Sequence, residues 1–136
     1  MIPLMPKFNL CVPPEVVADI AAHPACDAIC TSNTIPWGKL PNAIDWYNLF
    51  SSHQSPLAHL GGGGLSGKPL LPLVIEWIKR ARKIGIEKPI NGGGGILSHD
   101  DAFSVLNAGA DSFFIGSMAT LRPLRVDKTS QIGKYK

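Results

Sequence analysis

Apolar positions along this chain alternate between helical spacing and short unbroken runs. Leu70, Leu71, Val74, Trp77, Ile78, Ala81 and Ile84 fall on one helical face with Glu76, Lys79, Arg80 and Lys83 opposite, which predicts an amphipathic helix. Pro14, suited to a first helical position, precedes Val16, Val17, Ile20 and Ala21 and predicts another. Ser98 followed three residues later by Asp101 resembles a capping box and opens a third helix carrying Ala102, Phe103, Val105 and Leu106, which Gly109 stops. Short apolar runs at Pro3–Phe8, Asp27–Thr31, Lys88–Asn91 and Ser112–Ile115 read as strands. From about Ile35 to Gly64 no period persists, so a long loop is expected. Its Trp37, Trp46, Tyr47, Leu49 and Phe50 predict that it is packed, and its length marks it as a functional insertion.

The order β-α-β-loop-α-β-α-β demands parallel strands joined by right-handed crossovers. The fold class expected is therefore α/β, with about four β/α units forming either an open parallel sheet or half of a (β/α)8 barrel. At 136 residues the chain is at most one domain, expected over 1–136.

Two glycine clusters, Gly61–Gly64 with Gly67 and Gly92–Gly95, precede helix-like runs, and a Gly116–Ser117 turn closes the last strand. Glycine lets backbone N–H groups approach a ligand closely, and a following helix N-terminus favours an anion. Three such turns in one half of a chain point to a phosphorylated cofactor. Two simpler motif readings fail. The Gly62-to-Lys68 spacing approximates a nucleotide-binding loop, but Pro69 stands where a Mg²⁺-binding Ser or Thr is needed; a dinucleotide fingerprint lacks a firm strand before it.

Composition narrows the functional classes. Hydrophobic residues at 45% and charged residues at 17% fit a folded globular chain, and no apolar run approaches the roughly 20 residues that span a bilayer. Met1–Lys7 lacks the plan of a signal peptide, so a cytoplasmic location is expected. Net charge is +3 with dispersed basic residues; Lys79–Lys83 reads as a solvated helix face, and no nucleic-acid partner is expected. Three cysteines and four histidines show no metal-ligand spacing, so no metal site is expected. Lys7, read as closing the first strand, would place a cation at a barrel mouth, and Asn33 and Thr34 after the second strand offer hydrogen bonds to an amide- or carboxylate-bearing heterocycle.

These segments resemble a known family. Lys7 in Pro3-Leu-Met-Pro-Lys-Phe, Ser32-Asn33-Thr34, Gly63-Gly-Leu-Ser-Gly-Lys-Pro-Leu70, Pro89-Ile-Asn-Gly-Gly-Gly-Gly-Ile96, Ala108-Gly-Ala-Asp111 and Ile115-Gly-Ser117 resemble, in order, the C-terminal half of the dihydroorotate dehydrogenase family. That resemblance implies an FMN-dependent (β/α)8 barrel oxidising dihydroorotate to orotate in pyrimidine biosynthesis. It implies that Lys7 contacts the flavin and stabilises its reduced anionic form, and that Ser32 touches the ring. Asn33 and Thr34 would bind the pyrimidine, while Gly67, Gly94, Gly95, Gly116 and Ser117 would hold the cofactor. The family's catalytic base, a Cys or Ser, lies in the N-terminal half of its barrel, and none of Cys11, Cys26 or Cys30 matches it. The isolated chain is accordingly expected to be inactive alone, with a second half-barrel or a homodimer as partner. A dihydropyrimidine-dehydrogenase-like barrel and a non-catalytic flavin- or phosphate-binding remnant are the alternative readings.

Overall fold

The alternation of strands and helices produces a four-stranded sheet in which every neighbouring pair is parallel, in the order Lys7–Asn9, Ile29–Asn33, Ile90–Gly93 and Ser112–Phe114. The computed structural model describes residues 2–131; Met1 and residues 132–136, the ends of the expected 1–136 domain, lie outside the described residues. The elements are β1 (Lys7–Asn9), α1 (Pro14–Ala22), β2 (Ile29–Asn33), β3 (Ile35–Pro36), α2 (Trp46–Phe50), β4 (Gly64–Leu65), α3 (Leu71–Lys83), β5 (Ile90–Gly93), α4 (His99–Asn107), β6 (Ser112–Phe114), α5 (Ser117–Leu121) and α6 (Val126–Ser130). This is the α/β class expected, built from parallel β/α units.

The two inner strands are largely buried and the two edge strands half-exposed. Helix α3 packs against both α1 and α4. The core between the helices and the sheet holds Val17, Ile29, Val74, Ile78, Ile90 and Val105, all fully buried. Gly92 lies on that helical face: a Cβ there would come within 2.8 Å of Val105 and 2.9 Å of Ile78, so a side chain would force the helix layer off the sheet.

Several sequence expectations shift. The first strand is Lys7–Asn9 and not Pro3–Phe8. Residues 4–6 still run beside the next segment, with Leu4 and Pro6 carbonyls accepting from Asp27 and Cys30, but Pro3 and Pro6 have no N–H to return. On α1 the buried stripe is Pro14, Val17 and Ala21, while Val16 and Ile20 stand exposed about 100° round the helix. Phe103 on α4 is likewise exposed.

The expected loop between β2 and α3 contains structure. β3 and β4 pair antiparallel, Ile35 opposite Leu65 and Pro36 opposite Gly64, closing a 27-residue excursion at its base. Trp37, Trp46 and Phe50 pack within it, Trp37 lying 4.8 and 5.0 Å from the other two ring centroids, and Trp46 Nε1 donates to the Lys39 carbonyl. Tyr47 and Leu49 remain exposed. The basic run Lys79–Lys83 is not uniformly solvated either. Arg82 folds back to donate to the carbonyls of Ile86, Lys88 and Gly109 and to pair with Asp111.

Candidate functional site

At one end of the sheet a cavity of about 310 Å³ is lined by Lys7, Ser32, Asn33, Thr34, Gly67, Gly94, Gly95, Gly116 and Ser117, together with Ser66, Leu70, Ile96, Phe114 and Thr120. That volume suits a small-molecule ligand. Five separate stretches of chain converge here, Lys7 on β1 being one of them. Asn33–Thr34, Gly94–Ile96 and Gly116–Ser117 come at or just after the C-terminal ends of β2, β5 and β6, where parallel strands present their loops. Gly67 arrives through the β3–β4 pair, which ties the excursion's return to the residues following β2.

Lys7 enters differently from the sequence expectation. It is the first residue of β1 and pairs in register with Cys30, two residues short of Ser32. Its long stem carries the ammonium up to the cavity, where Nζ lies 4.4 Å from the centroid of the Phe114 ring. Lys7 pairs with no carboxylate among the described residues. Its charge is therefore available to an anionic ligand.

Ser32 and the glycine run lock together. The Ser32 hydroxyl donates to the Gly93 carbonyl at 3.0 Å, which leaves its lone pairs to accept from a ligand. A Cβ on Gly94 would meet Ser32 Oγ at 2.7 Å, and one on Gly95 would meet the Leu71 nitrogen at 2.7 Å and the Gly67 oxygen at 2.8 Å. Both residues also have positive φ, 122° and 77°. The second glycine cluster thus packs directly on the backbone of the first. The peptide between Thr31 and Ser32 is cis.

The backbone N–H groups of Gly94, Gly95 and Ile96 have no hydrogen-bond partner among the described residues. With the hydroxyls of Ser117 and Thr120 on α5, which also line the cavity, they form a set of donors suited to phosphate oxygens. The expected help from the following helix is not there: α4 starts only at His99, and its first turn is closed by its own cap, Ser98 Oγ accepting from Asp101 N–H. At Gly94–Ile96, donors from irregular backbone stand in place of a helix N-terminus, whereas Ser117 is itself the first residue of α5. These donors, with the Lys7 ammonium across the cavity, fit a phosphorylated ligand.

Asp101 braces this arrangement from behind. Its carboxylate pairs with Lys68 and accepts from Leu97 N–H. Burial pushes its pKa up, but hydrogen bonds from Lys68, Leu97 N–H and Ser98 outweigh that and hold it below the ordinary carboxylate value. Lys68, the lysine of the nucleotide-loop-like motif, is thereby engaged with protein. Burial raises the Cys30 thiol pKa, with the nearby Lys7 charge opposing. Cys30 therefore stays a neutral thiol at neutral pH.

Sequence reasoning missed Phe114, Ser66, Leu70, Ile96 and Thr120. The pattern makes Phe114 a strand interior residue, and no signal marks which face of a three-residue strand meets a ligand. Among the described residues, no Cys, His, Asp or Glu lines the cavity. Among the described residues no group of three His, Cys, Asp or Glu could hold a metal ion, and no helix is long and apolar enough to cross a membrane.

Comparison with known proteins agrees with this geometry. The profile of the Dihydroorotate dehydrogenase family matches residues 4–129. A dihydroorotate dehydrogenase (quinone) of Coxiella burnetii is 32% identical over 117 residues, covering 80% of this chain and 29% of that protein. The catalytic subunit of dihydroorotate dehydrogenase B (NAD(+)) of Listeria monocytogenes is 38% identical over 65 residues, 48% of this chain and 21% of that one. Among solved structures, ligand-free DHODH from Eimeria tenella superposes with a TM-score of 0.73 at 22% identity, covering 96% of this chain and 34% of that chain. The chain spans about a third or less of the length of these relatives.

Proposed function

The chain belongs to the dihydroorotate dehydrogenase family, and from that premise we propose that it carries the FMN-binding face of an enzyme that oxidises dihydroorotate to orotate in pyrimidine biosynthesis. The observation that carries this reading is the convergence of Lys7, Ser32–Thr34, Gly94–Ile96 and Gly116–Ser117 on one cavity. Bound FMN would supply the hydride acceptor, chemistry that no side chain provides.

The residues divide the work by their chemistry. Gly94, Gly95 and Ile96 N–H groups, with Ser117 Oγ, bind the phosphate; Gly67 and Gly116 leave room for the cofactor, since no atom lies within 4 Å of a Cβ built at either. Lys7 would set a positive charge beside a bound ring and favour negative charge developing there. Ser32, whose proton is committed to Gly93, accepts from the ring. Asn33 and Thr34 orient the pyrimidine, the Asn33 amide being already steadied by the Thr34 N–H that its Oδ1 accepts at 2.9 Å.

Proton removal from the substrate must come from outside this set, because among the described residues no thiol, imidazole or carboxylate lines the cavity. Strands β1 and β6 each pair on one side only among the described residues. Further barrel strands, from the same protein or from a second copy, complete the ring and bring the base. The 136-residue chain by itself therefore binds FMN and has little or no turnover.

The test is a titration of the purified chain with FMN, followed by quenching of flavin fluorescence and by the visible spectrum, with a parallel assay for orotate formation. Saturable binding that Lys7→Met and Ser117→Ala each weaken supports the reading. No binding at any FMN concentration overturns it, and turnover by homogeneous monomeric chain overturns the division of labour.

A further inference from the structure

Lys7 and Phe114 stand on opposite edges of the four-stranded sheet, on β1 and β6, yet the ammonium lies 4.4 Å from the ring centroid. Two strands separate them. The contact therefore depends on the ring reaching inward from its own strand, and Gly93 is what permits it. Gly93 is the register partner of Phe114 on β5, and a Cβ there would fall 2.5–2.7 Å from Cε1, Cδ1 and Cζ of the ring. The absence of a side chain at residue 93 gives the ring its seat over the middle of the sheet.

The ammonium has no carboxylate among the described residues to hold it there. A lysine stem has four rotatable bonds and a strongly hydrated head, so an unpaired exposed ammonium samples many positions. A ring face within about 6 Å attracts a cation through its quadrupole and restricts that sampling. Phe114 also lines the cavity beside Lys7. A ring so placed sits at the level of Ser32 and the Gly94 loop, not at the base of the sheet where Lys7 is rooted.

We infer that Phe114, seated on Gly93, is the positioning residue for Lys7: it holds the lysine ammonium inside the cavity at the height where a bound anionic ring needs it. The inference rests on the FMN reading only for what the charge is used for. The placement itself is a property of the free chain.

Two measurements test it. In the first, lysines are reductively dimethylated with ¹³C and the Lys7 resonance is assigned by its loss in Lys7→Arg. The ring current of Phe114 is expected to shift it upfield of the other lysines; Phe114→Leu returns it to their position, and Phe114→Tyr, which keeps the ring, leaves it shifted. An unshifted Lys7 resonance, or one that does not move in Phe114→Leu, overturns the inference whether or not FMN binds. In the second, FMN affinity is measured across the cycle Lys7→Met, Phe114→Leu and the double variant. Each single change is expected to weaken binding by about three- to tenfold, and the double change by no more than the larger single effect. Additive losses overturn the coupling. Failure of every variant and of the parent to bind FMN sinks the functional reading instead, and the lysine resonance then decides the positioning alone.

Discussion

Ser32 and Gly93 are joined by a hydrogen bond of 3.0 Å across neighbouring strands 61 residues apart in sequence. The bond fixes Ser32 Oγ at a point only 2.7 Å from where a methyl on Gly94 would lie. Three residues thus share one small volume. One of them must be glycine.

The first prediction follows from that crowding. Gly94→Ala combines a positive φ of 122° with the Ser32 contact and is expected to lower stability by about 2–3 kcal/mol in urea unfolding. Removing the hydroxyl in Ser32→Ala should recover part of that loss, so the double variant is less destabilised than the sum of the singles. Gly95→Ala should not be rescued this way, because its added methyl meets backbone atoms of Leu71 and Gly67. Strict additivity of Ser32→Ala with Gly94→Ala would contradict the geometry.

A second prediction concerns the brace behind the glycine loops. The Asp101 pKa is lowered in the folded chain, so the unfolded chain binds more protons over the titration range and stability rises with pH there. The contribution is complete above the ordinary carboxylate value and is lost as pH falls through the depressed folded value. The contribution is modest, because Lys68 is more than half exposed and its charge is screened. Asp101→Asn should lower the melting temperature at neutral pH by roughly 3–5 °C and flatten the acid limb of stability against pH. An unchanged acid limb in Asp101→Asn would show that the brace carries no such linkage.

The third prediction concerns a structural tie away from the cavity. Arg82 donates to the carbonyls of Gly109, Ile86 and Lys88, and its other arm reaches Asp111, whose Oδ2 also accepts from Ile90 N–H at 2.8 Å. This one guanidinium ties the end of α3 to the starts of β5 and β6. Arg82→Ala strands several carbonyls and should cost about 2–4 kcal/mol. Arg82→Lys should recover little, since a single ammonium cannot satisfy partners arranged around a planar fork. Full rescue by lysine would mean that charge alone matters at this position.

The contrast between Arg82 and the glycine loops explains how much the sequence disclosed. Helical spacing located α3 because its buried stripe of Leu71, Val74, Trp77, Ile78 and Ala81 is long enough to establish a period. The Ser98–Asp101 spacing likewise located the start of α4, and the Ser98 side chain does accept from Asp101 N–H. Arg82 sits in the same helix as a run of solvated charges, and nothing in its spacing distinguishes a residue whose partners lie 27 and 29 residues further along. The two-residue strands β3 and β4 are too short to show alternation, so their pairing, which brings Gly67 to Thr34, could not be read. All nine residues singled out from turns and resemblance line one cavity, but Phe114 was invisible: its importance arises from the missing side chain at Gly93, a relation between strands that only the register reveals.

The last prediction uses the cysteines to test whether Lys7 is rooted where the register puts it. Cys11 is half-exposed, whereas Cys26 and Cys30 are buried and Cys26 donates to the Ala28 carbonyl. Burial raises the Cys30 pKa while the Lys7 charge pulls it down, so the thiolate is scarce at neutral pH. With a disulfide reagent near pH 8, one thiol per chain should react rapidly, and Cys11→Ser should abolish that phase. The slow Cys30 phase, isolated in a Cys11→Ser, Cys26→Ala background, should accelerate with rising pH. Lys7→Met removes the opposing charge, so the pKa moves further up and the same acceleration appears at higher pH. A Cys30 profile that ignores the loss of Lys7 would mean that the ammonium charge does not reach its register partner Cys30.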